Sequence, residues 1–374
     1  MKLSFLLLPA YALFLILFTV FSYLYLDKNL IFLANFYTGF STTNRILVSL
    51  LFFLLVVIFF FFYYFFLRQI KKGSIKLKNV VLLTCLILFF SYPAMLSYDI
   101  FNYVTTAKVA FTYHENPYII KPNELTGDKN LLFTRASNKT ALYGPSWIIA
   151  TGIPNLLGGG NFIVTLFSQK LLVLVFYLCT SFLILKITKS PLYSAIFSLN
   201  PLVIIETLVS GHNDIFMMFF ALLSLFLISQ RKLGGGLFSG FISIFVKYST
   251  LFLVPVLIEV FVNRYRKKEI NWGKIYYHSA LLMFAIFLLS FFREMYPWYA
   301  IWFLIFVSIV PNRRILTYTG LGFSFGLLLS YIPYMYSGDY FGNSLIAKNI
   351  LIFLPVIVVL VLELKGRPWL RKFS

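Results

Sequence analysis

Charge is scarce in this chain and acidic charge scarcer still, with 12 Asp and Glu residues and 3 His among 374. At 60% hydrophobic, 20% aromatic and 12% charged residues, the composition lies far outside the range of a water-soluble domain. Cysteine is limited to Cys85 and Cys179, both inside apolar runs and without disulfide or metal-site spacing, which leaves them as small packing residues. No Gly-rich phosphate loop precedes a helix in the Rossmann manner, so no nucleotide-binding domain is expected. No unit of about 20 to 50 residues recurs and no low-complexity linker divides the chain. Short alternating strands are also missing, which excludes a closed transmembrane barrel.

What is present is a succession of long apolar runs, and the mean hydropathy is +0.87. Crossings are expected near residues 3–26, 46–67, 79–96, 162–185, 191–210, 214–229, 233–247, 249–263, 275–292, 297–311, 314–336 and 345–363, several of them short enough to merge or re-enter. The implied fold class is an all-α polytopic membrane protein of about 12 transmembrane helices, forming one domain over residues 1–374. The first run exceeds a signal peptide's length and no small-x-small cleavage site follows, so it is expected to remain as a helix. Gly158-Gly159-Gly160 and Gly234-Gly235-Gly236 are expected to mark tight breaks between elements.

The formal charge of +20 would suggest nucleic acid in a soluble chain, but its carriers sit in short loops between apolar runs. Arg68, Lys71, Lys72, Lys76 and Lys78 fill one loop; Lys186 and Lys189, Arg231 and Lys232, Arg264, Arg266, Lys267 and Lys268, and Arg313 and Arg314 fill alternate later ones. Lys365, Arg367, Arg371 and Lys372 follow in the tail. This is the positive-inside pattern of a multi-pass plasma-membrane protein with cytoplasmic termini, so the partner it implies is the lipid bilayer and not nucleic acid. Asp99, His114, Glu115, His212, Asn213, Asp214, Arg293, Glu294 and Asp339 then fall on the extracytoplasmic side, with Lys247 at or near that face.

The longest polar loop, residues 97–161, carries its own helical pattern. Ile100, Val104, Ala107 and Phe111 recur at helical spacing while Asn102, Thr105 and Thr106 point elsewhere, which predicts a short amphipathic helix in the interface, stopped by Asn116-Pro117-Tyr118. Trp147 to Leu157 is apolar but too short to span and contains Pro154, so it is expected to lie along the surface or to dip in and return. Together the two would roof the outer ends of the helices.

Each candidate functional residue has two readings. Asp99 sits at the membrane boundary, where an ionised carboxylate is affordable and suits a general base; it could also be the N-cap of the interfacial helix. Asp214 opens an apolar helix and could cap it. Glu206, among Val203, Ile204, Ile205 and Leu208, lies at a depth that demands a partner or a wet cavity. Lys247 either serves a site or snorkels to the interface.

The stretches "SYDIFNYVTTAKVAFTYHENPY", "ALYGPSW", "NPLVIIETLVSGHNDIFMM", "FVKYSTLFLVP" and "YPWYAIWFL" follow one another from about residue 92 to 311. In that order and membrane placement they resemble the polyprenol-phosphate-mannose-dependent mannosyltransferases of the GT-C superfamily, of the bacterial alpha-mannosyltransferase type that extends lipid-linked mannans. The resemblance implies that Asp99 falls on the family's catalytic base in the first loop and that Gly211 to Asp214 falls on its Gly-His-Asn-Asp element. Many GT-C enzymes have paired acids in the first loop, whereas Ile100 follows Asp99 here, so no metal ligands are expected.

The chemistry that the resemblance implies needs few groups: a base for the incoming hydroxyl and positive charge for the departing phosphate. Asp99 is expected to take the proton, and Lys247 and Arg293 to bind the donor phosphate. His212, Asn213, Asp214, Tyr103, Trp298 and Tyr299 are expected to bind sugar and acceptor, with Tyr296 at the same pocket; the aromatic rings could equally be interface anchors. The expected partners are a polyprenyl-phosphate-linked sugar donor and an extracytoplasmic glycan or glycolipid acceptor, with no cofactor. No pair of carboxylates is placed for double displacement, so the expected reaction inverts. A lipid-linked sugar flippase or secondary transporter is the competing class, although repeated halves with matching breaks are not evident.

Overall fold

The computed structural model describes residues 2–365, so that Arg367, Arg371 and Lys372 of the cationic tail lie outside the described residues. The fold is all-helical, with 75% helix and no strand among the described residues. Among the described residues six helices are long and apolar enough to cross a membrane: Leu6–Tyr25, Arg45–Lys71, Phe162–Thr188, Trp272–Phe292, Arg314–Ser337 and Asn343–Leu364. A pair bent by 60°, Pro191–Ser198 with Pro201–Val209, makes a seventh if it is one span. The segments Leu77–Leu88, Asp214–Ser229, Leu233–Ile244 and Pro297–Val307 are apolar but shorter. The architecture is that of a membrane protein, with six or seven helices of spanning length where about 12 are expected from the apolar runs.

The Arg45–Lys71 helix shows why apolar residues occur all around such segments. Val48, Phe52, Val56, Phe59, Tyr63 and Phe66 recur every three or four residues and are buried. Leu50, Leu54 and Phe61 on other faces are exposed. A helix that is apolar inward and outward is stable only where its outer face also meets hydrocarbon.

The 97–161 region folds onto this bundle. The helix expected from Ile100, Val104 and Ala107 is present as Asp99–Phe111, but Asn102, Thr105 and Thr106 are buried and do not face solvent. The loop that follows covers their side: Thr105 Oγ1 lies 2.7 Å from Thr134 Oγ1, and Asn102 Oδ1 accepts a 3.3 Å hydrogen bond from the Ala136 N–H. The Pro145–Gly158 helix runs through Pro154, buries Trp147, Ile148 and Thr151, and leaves Ile149, Ile153 and Leu156 exposed, an arrangement suited to a lipid boundary.

Of the two glycine triplets, Gly158-Gly159-Gly160 does end a helix, with Gly159 and Gly160 at φ of 52° and 86°. The triplet at Gly234 lies instead inside the first turns of the Leu233–Ile244 helix, and the break falls just before it, at Arg231 with φ 61°. The segments on either side of Lys247 are separate pieces, because Lys247 itself is extended (φ −149°, ψ 130°) between the Leu233–Ile244 helix and the 3-10 turn Tyr248–Leu253.

Candidate active site

Four connections, 89–98, 210–213, 245–247 and 293–296, alternate along the chain with the cation-bearing ones, and the residues at or beside them converge. Asp99 opens its helix without capping it. The N-cap position is Tyr98, and the Asp99 carboxylate lies 3.5 Å from Asn102 Nδ2 and 3.6 Å from His212 Nδ1. Its side chain keeps 25% of its exposure. Burial nevertheless raises its pKa from the ordinary 3.8 to about 6; the charge of Lys247 opposes this, that of Asp214 adds to it, and hydrogen bonds from Asn102 and Tyr143 favour the carboxylate. A group poised there is ionised at neutral pH and still basic enough to accept a proton.

His212 reaches Asp99 because the chain reverses at Gly211, whose φ of +74° favours glycine and whose Cβ, if present, would lie 2.9 Å from Ile100 Cδ1. The His212 ring is fully buried, with Nδ1 toward Asp99 and Nε2 3.3 Å from Glu206 Oε2. Burial, reinforced by the charge of Lys247, holds its pKa well below the usual 6.5, so it stands neutral at pH 7, with one nitrogen a donor and the other an acceptor. Trp298 clamps the ring from one face at 3.9 Å between centroids, and Tyr296 stacks on Trp298 at 4.6 Å. Trp298 is thus buried against the site, whatever else the aromatic cluster does at the membrane boundary.

Asn213 is fully buried, and neither atom of its side-chain amide has a hydrogen-bond partner, while its backbone N–H donates to Tyr103 Oη at 3.4 Å. Orphaned buried amide groups are costly unless something fills them. Asp214 does not cap its helix either: Lys247 Nζ lies 2.8 Å from one carboxylate oxygen, and the Trp302 indole N–H donates to the other at 2.6 Å. Tyr299 stacks on Trp302 at 4.2 Å and carries Lys247 over its ring at 5.7 Å. The loop bearing Lys247 is fixed from the other side by Gly144 and Ser146, whose N–H groups donate to the Val246 and Phe245 carbonyls at 3.0 Å each. A Cβ on Gly144 would collide with the Phe245 carbonyl, so only glycine permits this approach.

The site therefore gathers Asp99, Tyr103, His212, Asn213, Asp214, Lys247, Trp298 and Tyr299. Arg293 is exposed at the edge, its charge acting on the Tyr299 hydroxyl. Trp302, Tyr143 and Tyr331 were not among the expected residues. The signal for Trp302 is its spacing: four residues after Trp298 along the turn of Pro297–Val307, it falls on the same face. Among the described residues no group of three or more His, Cys, Asp or Glu side chains is arranged to hold a metal ion.

A model of the MptA_B family, described as alpha-(1->6)-mannopyranosyltransferase, N-terminal domain, matches residues 10–263. This chain belongs to that family. It is a mannosyltransferase, and so a glycosyltransferase. No curated protein and no solved structure matches the chain. In this MptA_B member the matched stretch holds Asp99, Glu206, His212, Asn213, Asp214 and Lys247, while the rings that enclose them, Trp298, Tyr299 and Trp302, lie beyond it.

Proposed function

We propose that this mannosyltransferase moves a mannosyl residue from a polyprenyl-phosphate-linked donor to a hydroxyl of an extracytoplasmic glycan or glycolipid, in one inverting displacement on a GT-C-like scaffold formed by the whole chain. The acceptor oxygen attacks the anomeric carbon, the bond from that carbon to the phosphate oxygen breaks, the acceptor proton passes to Asp99, and polyprenyl phosphate leaves with the negative charge. An α product formed by inversion requires a β-linked donor.

The observation that carries this reading is the Asp99 carboxylate, partly open, poised near pH 6 and 3.6 Å from His212, together with the buried and unpartnered amide of Asn213, the residue that follows His212. A sugar hydroxyl supplies the donor and acceptor that the amide lacks. Lys247, held by Asp214 on one side and 19% exposed, meets the donor phosphate from its open side, with Arg293 beyond Tyr299. Tyr103 orients the Asn213 backbone, and Trp298 and Tyr299, in edge contact with each other, are the rings assigned to the sugar in this reading. The alternation of cationic connections with site-bearing ones supports a cytoplasmic face opposite the site, in the plasma membrane, with both termini cytoplasmic.

The test is an assay of the purified protein with polyprenyl-phosphate β-mannose and a mannoside acceptor, with the anomeric configuration of the product read by NMR. An α-mannosidic product is expected. Movement of the donor across a bilayer without glycosidic bond formation would support the flippase class instead, and a β product would exclude inversion.

A further inference from the structure

Glu206 is a fully buried carboxylate with no role in the displacement as written. It sits in a π-helical turn, Ile205–Val209, of the kind that recurs at functional sites because it turns a side chain out of helical register. Its carbonyl accepts the His212 N–H at 3.0 Å, so the same turn fixes both residues. Oε1 accepts the Tyr331 hydroxyl at 2.9 Å. Oε2 has no hydrogen-bond partner and lies 3.3 Å from His212 Nε2. Among the described residues His212 is the only basic side chain within ion-pair distance of Glu206. On the far edge of that ring, Nδ1 is 3.6 Å from Asp99, just outside hydrogen-bond distance, and among the described residues neither ring nitrogen has a hydrogen-bond partner, so both edges of the ring face a carboxyl group across a short gap. A single imidazole therefore stands between two carboxyl groups and is clamped in plane by Trp298.

A neutral imidazole donates from one nitrogen only, and the hydrogen bond made by one edge decides which. If the bare lone pair faced Asp99, it would repel the carboxylate that has to form there. We propose that Glu206 is a positioning residue for the base: by sharing one proton with His212 Nε2, it keeps the Nδ1–H of that ring turned on Asp99. Rotation is blocked by the Trp298 stack, so the tautomer, and not the ring orientation, is what Glu206 sets. The assignment rests on Asp99 acting as the base.

The other ionisable groups around the pair are fixed points in the comparison. Asp99 is faced by Lys247 and Asp214 and by the hydroxyl of Tyr143, and its charge acts on Tyr103, Tyr296, Tyr299 and Tyr331. Glu206 is faced by Tyr331, Asp214 and Asp99.

The experiment compares kcat and the acid limb of kcat/KM for wild type, Glu206→Gln and Glu206→Leu, with Asp99→Asn alongside. A Gln amide still donates to Nε2, so Glu206→Gln is expected to keep the acid limb in place and kcat within about threefold of wild type. Leu supplies no proton, so Glu206→Leu is expected to lose ~10–100-fold in kcat, the usual scale for a partner that orients a functional imidazole, and to move the acid limb to higher pH as the ring no longer turns an N–H toward Asp99. If the Leu variant fails to accumulate in membranes, Glu206→Asp, which withdraws the carboxyl by one methylene, is expected to move the limb the same way by less. Gln and Leu both moving the limb to lower pH would show that Glu206 acts by its charge and would overturn the assignment. So would a Leu or Asp variant that melts earlier with its limb unmoved, which is the result of a merely structural role. Full transfer by Asp99→Asn would instead remove the base itself, a distinct failure.

Discussion

The Trp302 indole donates a 2.6 Å hydrogen bond to one oxygen of Asp214 while Lys247 stands 2.8 Å from the other. The carboxylate has no exposure of its own, so these two donors stand in for the water it has lost. Trp302→Phe keeps the ring packed on Tyr299 but removes the N–H. The loss is expected to destabilise the protein by about 1–3 kcal/mol, the cost of an unsatisfied buried acceptor, and to appear as a lower midpoint in detergent thermal denaturation.

Removing Lys247 leaves the same carboxylate with an unneutralised charge. Lys247→Met is expected to cost about 3–5 kcal/mol. Adding Asp214→Asn should restore most of the stability, because a neutral amide needs no cation. Transfer should stay low in the double variant, since the donor phosphate still lacks its charge partner; full recovery of turnover would remove Lys247 from phosphate binding.

The raised pKa of Asp99 predicts opposite trends in activity and stability. As a base it works when ionised, so kcat/KM should fall as pH drops through about 6. For stability the sign is reversed. The folded pKa lies above the unfolded 3.8, so the folded state binds the proton more tightly, and the ionised group is a liability above pH 6 that vanishes below 3.8. Asp99→Asn should therefore melt higher than wild type at pH 8, by an amount on the order of 1–3 kcal/mol, with the difference closing toward pH 4. Thermal denaturation at three pH values checks it.

Asn213 holds a buried amide with both polar atoms free. If sugar hydroxyls fill it, Asn213→Ala should raise KM for donor or acceptor about tenfold or more with little loss of stability, since no intramolecular hydrogen bond of that side chain is broken. Unchanged KM values with a lower melting midpoint would make Asn213 a structural residue.

The apolar runs were readable because lipid demands them, and each expected crossing overlaps helix in the structure. Their count of about 12 is not confirmed by helix length, since Leu77–Leu88 and Leu233–Ile244 are mainly apolar yet shorter than a spanning helix. The Asp99–Phe111 helix was legible from its periodicity, but its burial depended on Thr134 and Ala136 folding back from some thirty residues away. Periodicity carries no information about that. Around the site, the polar residues declared themselves because they are rare here. Trp302 and Tyr331 did not, since aromatic residues make up 20% of the chain and only packing shows which rings touch Asp214 and Glu206. Glu206 was conspicuous by depth, while its partner became visible only when the Gly211 turn brought His212 back beside it.

The central claim is that Asp99 removes the acceptor proton. It is tested most directly by the steady-state transfer rate of purified Asp99→Asn against wild type, at pH 7.5 with polyprenyl-phosphate mannose and a mannoside acceptor at saturation. With wild-type expression and folding, the variant is expected to lose about 10²–10⁴-fold in kcat, the typical contribution of a general base. Transfer by Asp99→Asn at the wild-type rate would contradict the account.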